Sequence, residues 1–125
     1  MLVRARVTLR SVREIEALLE GLALVAQAQL MAASREGRPL PPLYSSGVRY
    51  RREIQAEEWL GPREVYAQGN GDCEDLVAWR VAELRLSGEN AKPECYSPRD
   101  GLVHCVVRVN GRREDPSARL GMGKE

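Results

Sequence analysis

Gly71-Asp72-Cys73-Glu74-Asp75 places a cysteine where a helix is expected to begin. Leu76, Val77, Val81 and Leu84 follow at helical spacing, and Gly88 stands where such a helix would stop. The pattern predicts a helix from about Asp72 to Ser87. With Asp72 as N-cap, Cys73 occupies the first helical position, where unpaired N–H groups and the positive helix end favour a thiolate. Glu74 and Asp75 suit a helix start but oppose a thiolate, so a cationic imidazole partner is required. Val77, Val81 and Leu84 lie on the same side as Cys73, which turns its sulfur inward.

Downstream, the stretches Lys92 to Ser97, Leu102 to Val109 and Arg112 to Asp115 read as strands. Asn110-Gly111 between the last two is a strong hairpin signal. Upstream, Ser11 and Glu14 form a capping-box signature, and Ile15, Leu18, Leu19, Leu22, Val25 and Ala26 then predict a helix from about residue 12 to 33. Leu2 to Leu9 alternates like a half-buried strand, and the proline- and glycine-rich stretch Gly37 to Gly47 is a loop. Val48 to Ile54 reads as a strand whose Arg49, Arg51 and Arg52 form a solvated basic face. Glu57 to Gly69 reads as a short helical or irregular approach around Pro62. Helices followed by an antiparallel sheet make this an α+β chain.

Its 125 residues fit a single domain (1–125), with a strand and helix over 1–36 and a core over 48–118. There is no Phe, so Leu, Val, Ala, Trp59, Trp79 and four Tyr must fill the interior. A net charge of +1 gives no general affinity for nucleic acid. Residues 1–10 lack the apolar core of a signal peptide, and the apolar run Ala17 to Ala33 is short for a bilayer and broken by Glu20, Gln27 and Gln29. Three cysteines, an odd number, argue against a disulfide framework. The expectation is a soluble, cytoplasmic protein without a membrane partner.

His104 is the chain's single histidine, in a run apolar on both faces, as in a central strand. With Asn110-Gly111 as a two-residue turn, Val109 pairs with Arg112, and counting back pairs Val106 with Asp115. His104 then lies on the same sheet face as Asp115, on a diagonal spanned by a side-chain hydrogen bond. Cys73, His104 and Asp115 are therefore the candidate catalytic residues: nucleophile, general base and the carboxylate that fixes the imidazole. The Cys73 backbone N–H is a natural oxyanion donor, and Gln68 is the first candidate for the second, ahead of Tyr66 and Asn70. Cys95 and Cys105 read as small buried hydrophobes. A metal site from Cys73, Cys95, His104 and Cys105 is disfavoured, because no C-x-x-C pair exists and adjacent His104 and Cys105 point to opposite strand faces. No cofactor is implied.

The Gly71–Asp75 motif at a helix start, with His104 on the following strand and Asp115 after the next, resembles the transglutaminase-like superfamily of papain-like cysteine enzymes, in its short bacterial and phage form. The resemblance covers about residues 48 to 118. It implies a helix carrying the thiol packed on a small antiparallel sheet, and a cysteine peptidase or amidase acting on a peptide or protein amide. It equally admits a transglutaminase-type acyl transferase, or a noncatalytic phage virion or assembly protein that docks on structural proteins through its long first helix. The chain has no recognisable calcium loop and lacks the added domains of large animal transglutaminases.

Overall fold

A computed structural model of the chain describes residues 11–52 and 58–124. Among these residues, five helical segments and five strands follow one another: α1 (Val12–Arg35), a 3-10 turn (Leu43–Ser45), β1 (Arg49–Tyr50), α2 (Pro62–Gln68), β2 (Asn70–Gly71), α3 (Cys73–Leu86), β3 (Ala91–Tyr96), β4 (His104–Val109), β5 (Arg112–Glu114) and α4 (Pro116–Arg119). The architecture is mixed, with a small antiparallel sheet, in keeping with an α+β class. The strand expected over Leu2 to Leu9 lies outside the described residues.

Ser11 caps α1 by accepting the Glu14 N–H, and one face of α1 meets α3 and β3, although Leu18 and Val25 of the expected apolar stripe stay exposed. Leu19 and Ala23 join Val77 and Val81 of α3 and Cys95, Cys105, Val107 and Val109 of the sheet in one buried cluster. Ala26 of α1 meets Ala78 and Ala82 of α3, small side chains that let the two helices approach closely. Trp79 faces the other way, into a second cluster with Leu43, Val48, Val65, Leu76 and Leu120. Helix α1 is long and apolar enough to cross a membrane by length and composition. Its inner face is nevertheless spent on this core, while Leu24, Val25 and Met31 stay exposed.

The three-stranded sheet has the order β3-β4-β5. Val109 pairs with Arg112 and Val107 with Glu114, the register expected from the Asn110-Gly111 turn. Positive φ at Asn110 (51°) and Gly111 (78°) gives this turn the twist that antiparallel strands need. β5 ends at Glu114, one residue short of expectation, because Asp115 leaves the ladder to cap α4. Likewise β4 begins at His104 rather than Leu102, since Leu102 closes a turn onto the Arg99 carbonyl.

Two features were not legible in the sequence. The strand expected over Val48 to Ile54 is only Arg49–Tyr50, its far end lying outside the described residues, and it pairs in parallel with Asn70–Gly71. Gly69 closes α2 at φ 84°, a backbone only glycine adopts without strain, and so turns the chain into β2. The second is the packing of Gly61 on Gln29 of α1, so close that a Cβ there would collide with the Gln29 side-chain amide.

The start of α3 is fixed by a reciprocal capping box. Asp72 Oδ1 accepts the Asp75 N–H, and Asp75 Oδ2 accepts the Asp72 N–H, each at 3.2 Å. Asp75 Oδ1 also takes the Leu60 N–H at 2.9 Å, tying the approach to α2 onto the same helix end. Burial, then the charge of Asp72, pushes the Asp75 carboxyl up to about 8. Asp75→Ala orphans two backbone donors at a buried site, and is expected to lower unfolding free energy by about 2–4 kcal/mol in urea titrations. An unchanged midpoint would mean that the capping box does not hold this junction.

Candidate active site

Cys73 is the first residue of α3, directly after its Asp72 cap, and packs partly buried against the cluster formed by Leu19, Val77, Cys105 and Val107. β1 holds the chain just before it: Arg49 N–H donates to the Gly69 carbonyl at 3.0 Å and Arg51 N–H to the Gly71 carbonyl at 2.8 Å. Between them, Tyr50 N–H donates to the Leu120 carbonyl at 2.9 Å, just past α4. One two-residue strand thus clips together the segment that carries the thiol and the segment that carries the acid.

His104 Nε2 lies 2.8 Å from Asp115 Oδ2, leaving Nδ1 for other partners. The other Asp115 oxygen, Oδ1, accepts the Ala118 N–H at 3.1 Å as the N-cap of α4. The Tyr96 ring and the imidazole meet edge to face, with centroids 5.7 Å apart and planes at 86°, because the two residues pair across β3 and β4.

The thiol and the imidazole perturb each other in opposite directions. Hydrogen bonding from Cys105 and, against the opposing cost of burial, from His104 brings Cys73 down to about 6; the charge of Asp72 works the other way. Hydrogen bonding to Cys73 and then to Asp115 lifts His104 to about 9, despite its partial burial. Between these values a thiolate and an imidazolium coexist. Strand alternation sets His104 and Cys105 on opposite faces, yet Cys73 interacts with both. His104 opens β4, and on the helix-facing side the Cys73 sulfur lies within 4.8 Å of that of Cys105.

Gln68, the last residue of α2, donates its Nε2 to the Asn70 carbonyl at 2.8 Å. Tyr66 is exposed on the same helix. Two surface clefts, one between α1 and β3 and one among the proline loop, α1 and α3, include none of Cys73, His104 and Asp115 in their walls.

Sequence reasoning missed the brace behind the site. Arg80, two turns along α3 from Cys73, forms a two-pronged ion pair with Glu114, the residue before Asp115. Tyr44 OH donates to the same carboxylate at 2.6 Å, and the guanidiniums of Arg80 (4.5 Å) and Arg119 (4.1 Å) each lie over its ring. A cation on the inward side of a helix, two turns from the thiol, was the available signal, because buried charges require partners. The paired geometry links the nucleophile helix to the strand end that leads into the acid.

Among the described residues one group could hold a metal ion: Cys73, Glu74 and Cys105, whose ligand atoms lie within 4.8 Å of one another. The Cys105 thiol of that group is pushed far up by hydrogen bonding to Cys73 and to Cys95 and by burial. Compared with family models, curated proteins and solved structures, the chain gives no match.

Alkylation by iodoacetamide follows the thiolate, so its rate at Cys73 is expected to rise with pH through a midpoint near 6. Asp115→Asn weakens the imidazolium and Cys105→Ala removes a donor to the sulfur, so both should move that midpoint upward. A wild-type midpoint in the range of a free thiol, about 8.5, would contradict the assigned environment.

Proposed function

We propose that this chain is a thiol-dependent amide hydrolase, a peptidase or amidase working through an acyl-enzyme on Cys73. The observation that carries the reading is the imidazole held at 2.8 Å by the Asp115 carboxylate, together with a thiol at the start of α3 whose ionised form His104 favours. Cys73 Sγ attacks the amide carbonyl carbon. As the negative charge develops on oxygen, the Cys73 N–H, which has no acceptor within its own helix, is placed to stabilise it. Gln68 serves as the second donor by exchanging its bond to the Asn70 carbonyl for one to the substrate.

His104 then gives its proton to the departing amine, and the C–N bond breaks to leave a thioester. Neutral His104 takes a proton from water as that water attacks the thioester carbonyl, releasing the acid and restoring the thiolate pair. Asp115 holds the ring through both transfers. An amine entering in place of water would make the same intermediate an acyl transferase.

The transglutaminase-like resemblance supports this reading through the order Cys73, His104, Asp115 and the placement of the thiol at a helix start. In that reading the fold is a compact papain-like one, and the protein acts in the cytoplasm or, if phage-encoded, beside virion structural proteins. The noncatalytic alternative on the same fold predicts assembly unaffected by Cys73→Ala.

Hydrolysis requires both members of the pair. Its kcat/KM should rise through about pH 6, as the thiolate forms, and fall through about pH 9, as the imidazolium loses its proton. With a panel of peptide amides, acid-quenched protein should carry an acyl mass on Cys73 alone. Adding a primary amine tests whether product diverts to transfer. Asp115→Asn is expected to lower kcat by roughly 10²–10⁴-fold. A Cys73 that alkylates rapidly, yet acquires no acyl group from any member of the panel, would overturn the hydrolase reading.

A further inference from the structure

All three cysteines of the chain converge in the folded molecule, although they lie on three different elements. Cys105 stands between the other two. Its sulfur is 2.7 Å from that of Cys95 and within 4.8 Å of that of Cys73. Only Cys73 reaches solvent to an appreciable extent, whereas Cys105 is 0% and Cys95 5% exposed.

The strand register prepares Cys95 and Cys105 for a covalent bond. They are direct cross-strand partners, two positions from the Pro93–Val107 pair. Pro93 has no N–H to give β4, and the Cys95 N–H is given to Glu16 Oε2 of α1 at 2.8 Å instead. The Asn110 N–H, by contrast, goes to the Asn90 carbonyl. Alternation therefore makes 91/109, 93/107 and 95/105 the pairs without ladder hydrogen bonds, where facing Cα atoms approach to about 4.5 Å and side chains come closest. That spacing lies within the range a disulfide spans, near its short end.

We propose that Cys73, Cys105 and Cys95 form a thiol relay that takes a hydroperoxide as substrate, storing the oxidation as a Cys95–Cys105 disulfide and returning Cys73 as a thiolate. In the first step Cys73 Sγ attacks the terminal oxygen of the hydroperoxide. An S–O bond forms, the O–O bond breaks, and the alkoxide or hydroxide leaves with the proton of the His104 imidazolium. Cys105 Sγ next attacks the sulfenic sulfur; the S–S bond forms, the S–O bond breaks, and hydroxide departs with the Cys105 proton as water. Finally Cys95 Sγ attacks the Cys105 sulfur and Cys73 leaves, while the Cys95 proton returns to His104. One hydroperoxide is reduced to an alcohol or water, a second oxygen leaves as water, and two thiols become one disulfide. An external dithiol resets the pair.

The electrostatics suit this order. Cys105 is held protonated chiefly by hydrogen bonding to Cys73, a restraint that ends once Cys73 becomes a neutral sulfenic acid. In the exchange, Cys73 is a good leaving group, because its thiol is brought down to about 6. Burial keeps peroxide from the other two sulfurs, so oxidation enters only through residue 73. For the hydrolase reading, on which the reactivity of Cys73 rests here, the consequence is protection of the nucleophile from irreversible sulfinic acid.

The test treats reduced, EDTA-washed protein with one equivalent of hydrogen peroxide, blocks free thiols with N-ethylmaleimide and maps peptides without reduction. The relay predicts a Cys95–Cys105 disulfide with Cys73 carrying the maleimide, formed at least tenfold more slowly in Cys73→Ala. Cys95→Ala should stop at Cys73–Cys105, and Cys105→Ala should let Cys73 advance to sulfinic acid. The wild-type map decides the matter without any variant: sulfinic Cys73 beside two alkylated thiols, or no oxidation of any cysteine, overturns the relay, as does equal disulfide formation in Cys73→Ala. Iodoacetamide labelling of the untreated protein separates the two readings. Rapid labelling with a failed map removes the relay alone, while slow labelling at Cys73 removes the hydrolase as well.

Discussion

The register imposed by Asn110-Gly111 is the constraint on which the site depends. Side chains alternate along a strand, so a one-residue slip would exchange the faces of β4 and β5 together. In the register adopted, Val107 and Val109 enter the core and Glu114 turns to the helix side, where Arg80 awaits it. Asp115 follows on the opposite parity, leaves the ladder and reaches the ring of His104. The same alternation sends Cys105 inward to Cys73 and Cys95. A left-handed dipeptide at the hairpin tip therefore decides which residues the thiol meets more than twenty residues away in the chain.

Local chemistry made much of this legible in the sequence. Asp72 is a capping residue followed by an amphipathic run, so the helix start, and with it the position of Cys73, can be read without tertiary information. The hairpin dipeptide gives the pairing of Val109 with Arg112, and counting from it brings His104 and Asp115 to one face. Ser11 likewise marks the beginning of α1. Each of these signals acts over a few residues and is encoded by side chains that have few alternatives.

What the sequence concealed is nonlocal. β1 and β2 are two residues each, too short for alternation to register, and they exist because the Gly69 turn brings Asn70–Gly71 beside Arg49–Tyr50. The Arg80–Glu114–Tyr44 brace joins residues 34 and 70 positions apart, and no spacing rule connects them. Cys95 and Cys105 show how a correct local reading can be incomplete. Both are buried small side chains, as expected, but they touch each other, and Cys105 also lies beside the thiol that reaches the surface.

Asp115 joins the fold to the chemistry through a division of labour between its two oxygens. Oδ1 holds the Ala118 N–H and so begins α4, with Pro116 at the first helical position, where its missing N–H costs nothing. Oδ2 holds the imidazole. Because α4 is a single short turn, its own hydrogen bonds are too few to sustain it, and its stability comes from the cap and from Leu120 in the core. The Leu120 carbonyl in turn accepts the Tyr50 N–H, and the residues flanking Tyr50 grip the segment that leads to Cys73. The carboxylate is thus aimed by a loop whose far end is fastened to the nucleophile's own approach. Motion that displaced the acid would pull on the thiol segment through β1, so the two sides of the site are constrained to move together even though they belong to different elements.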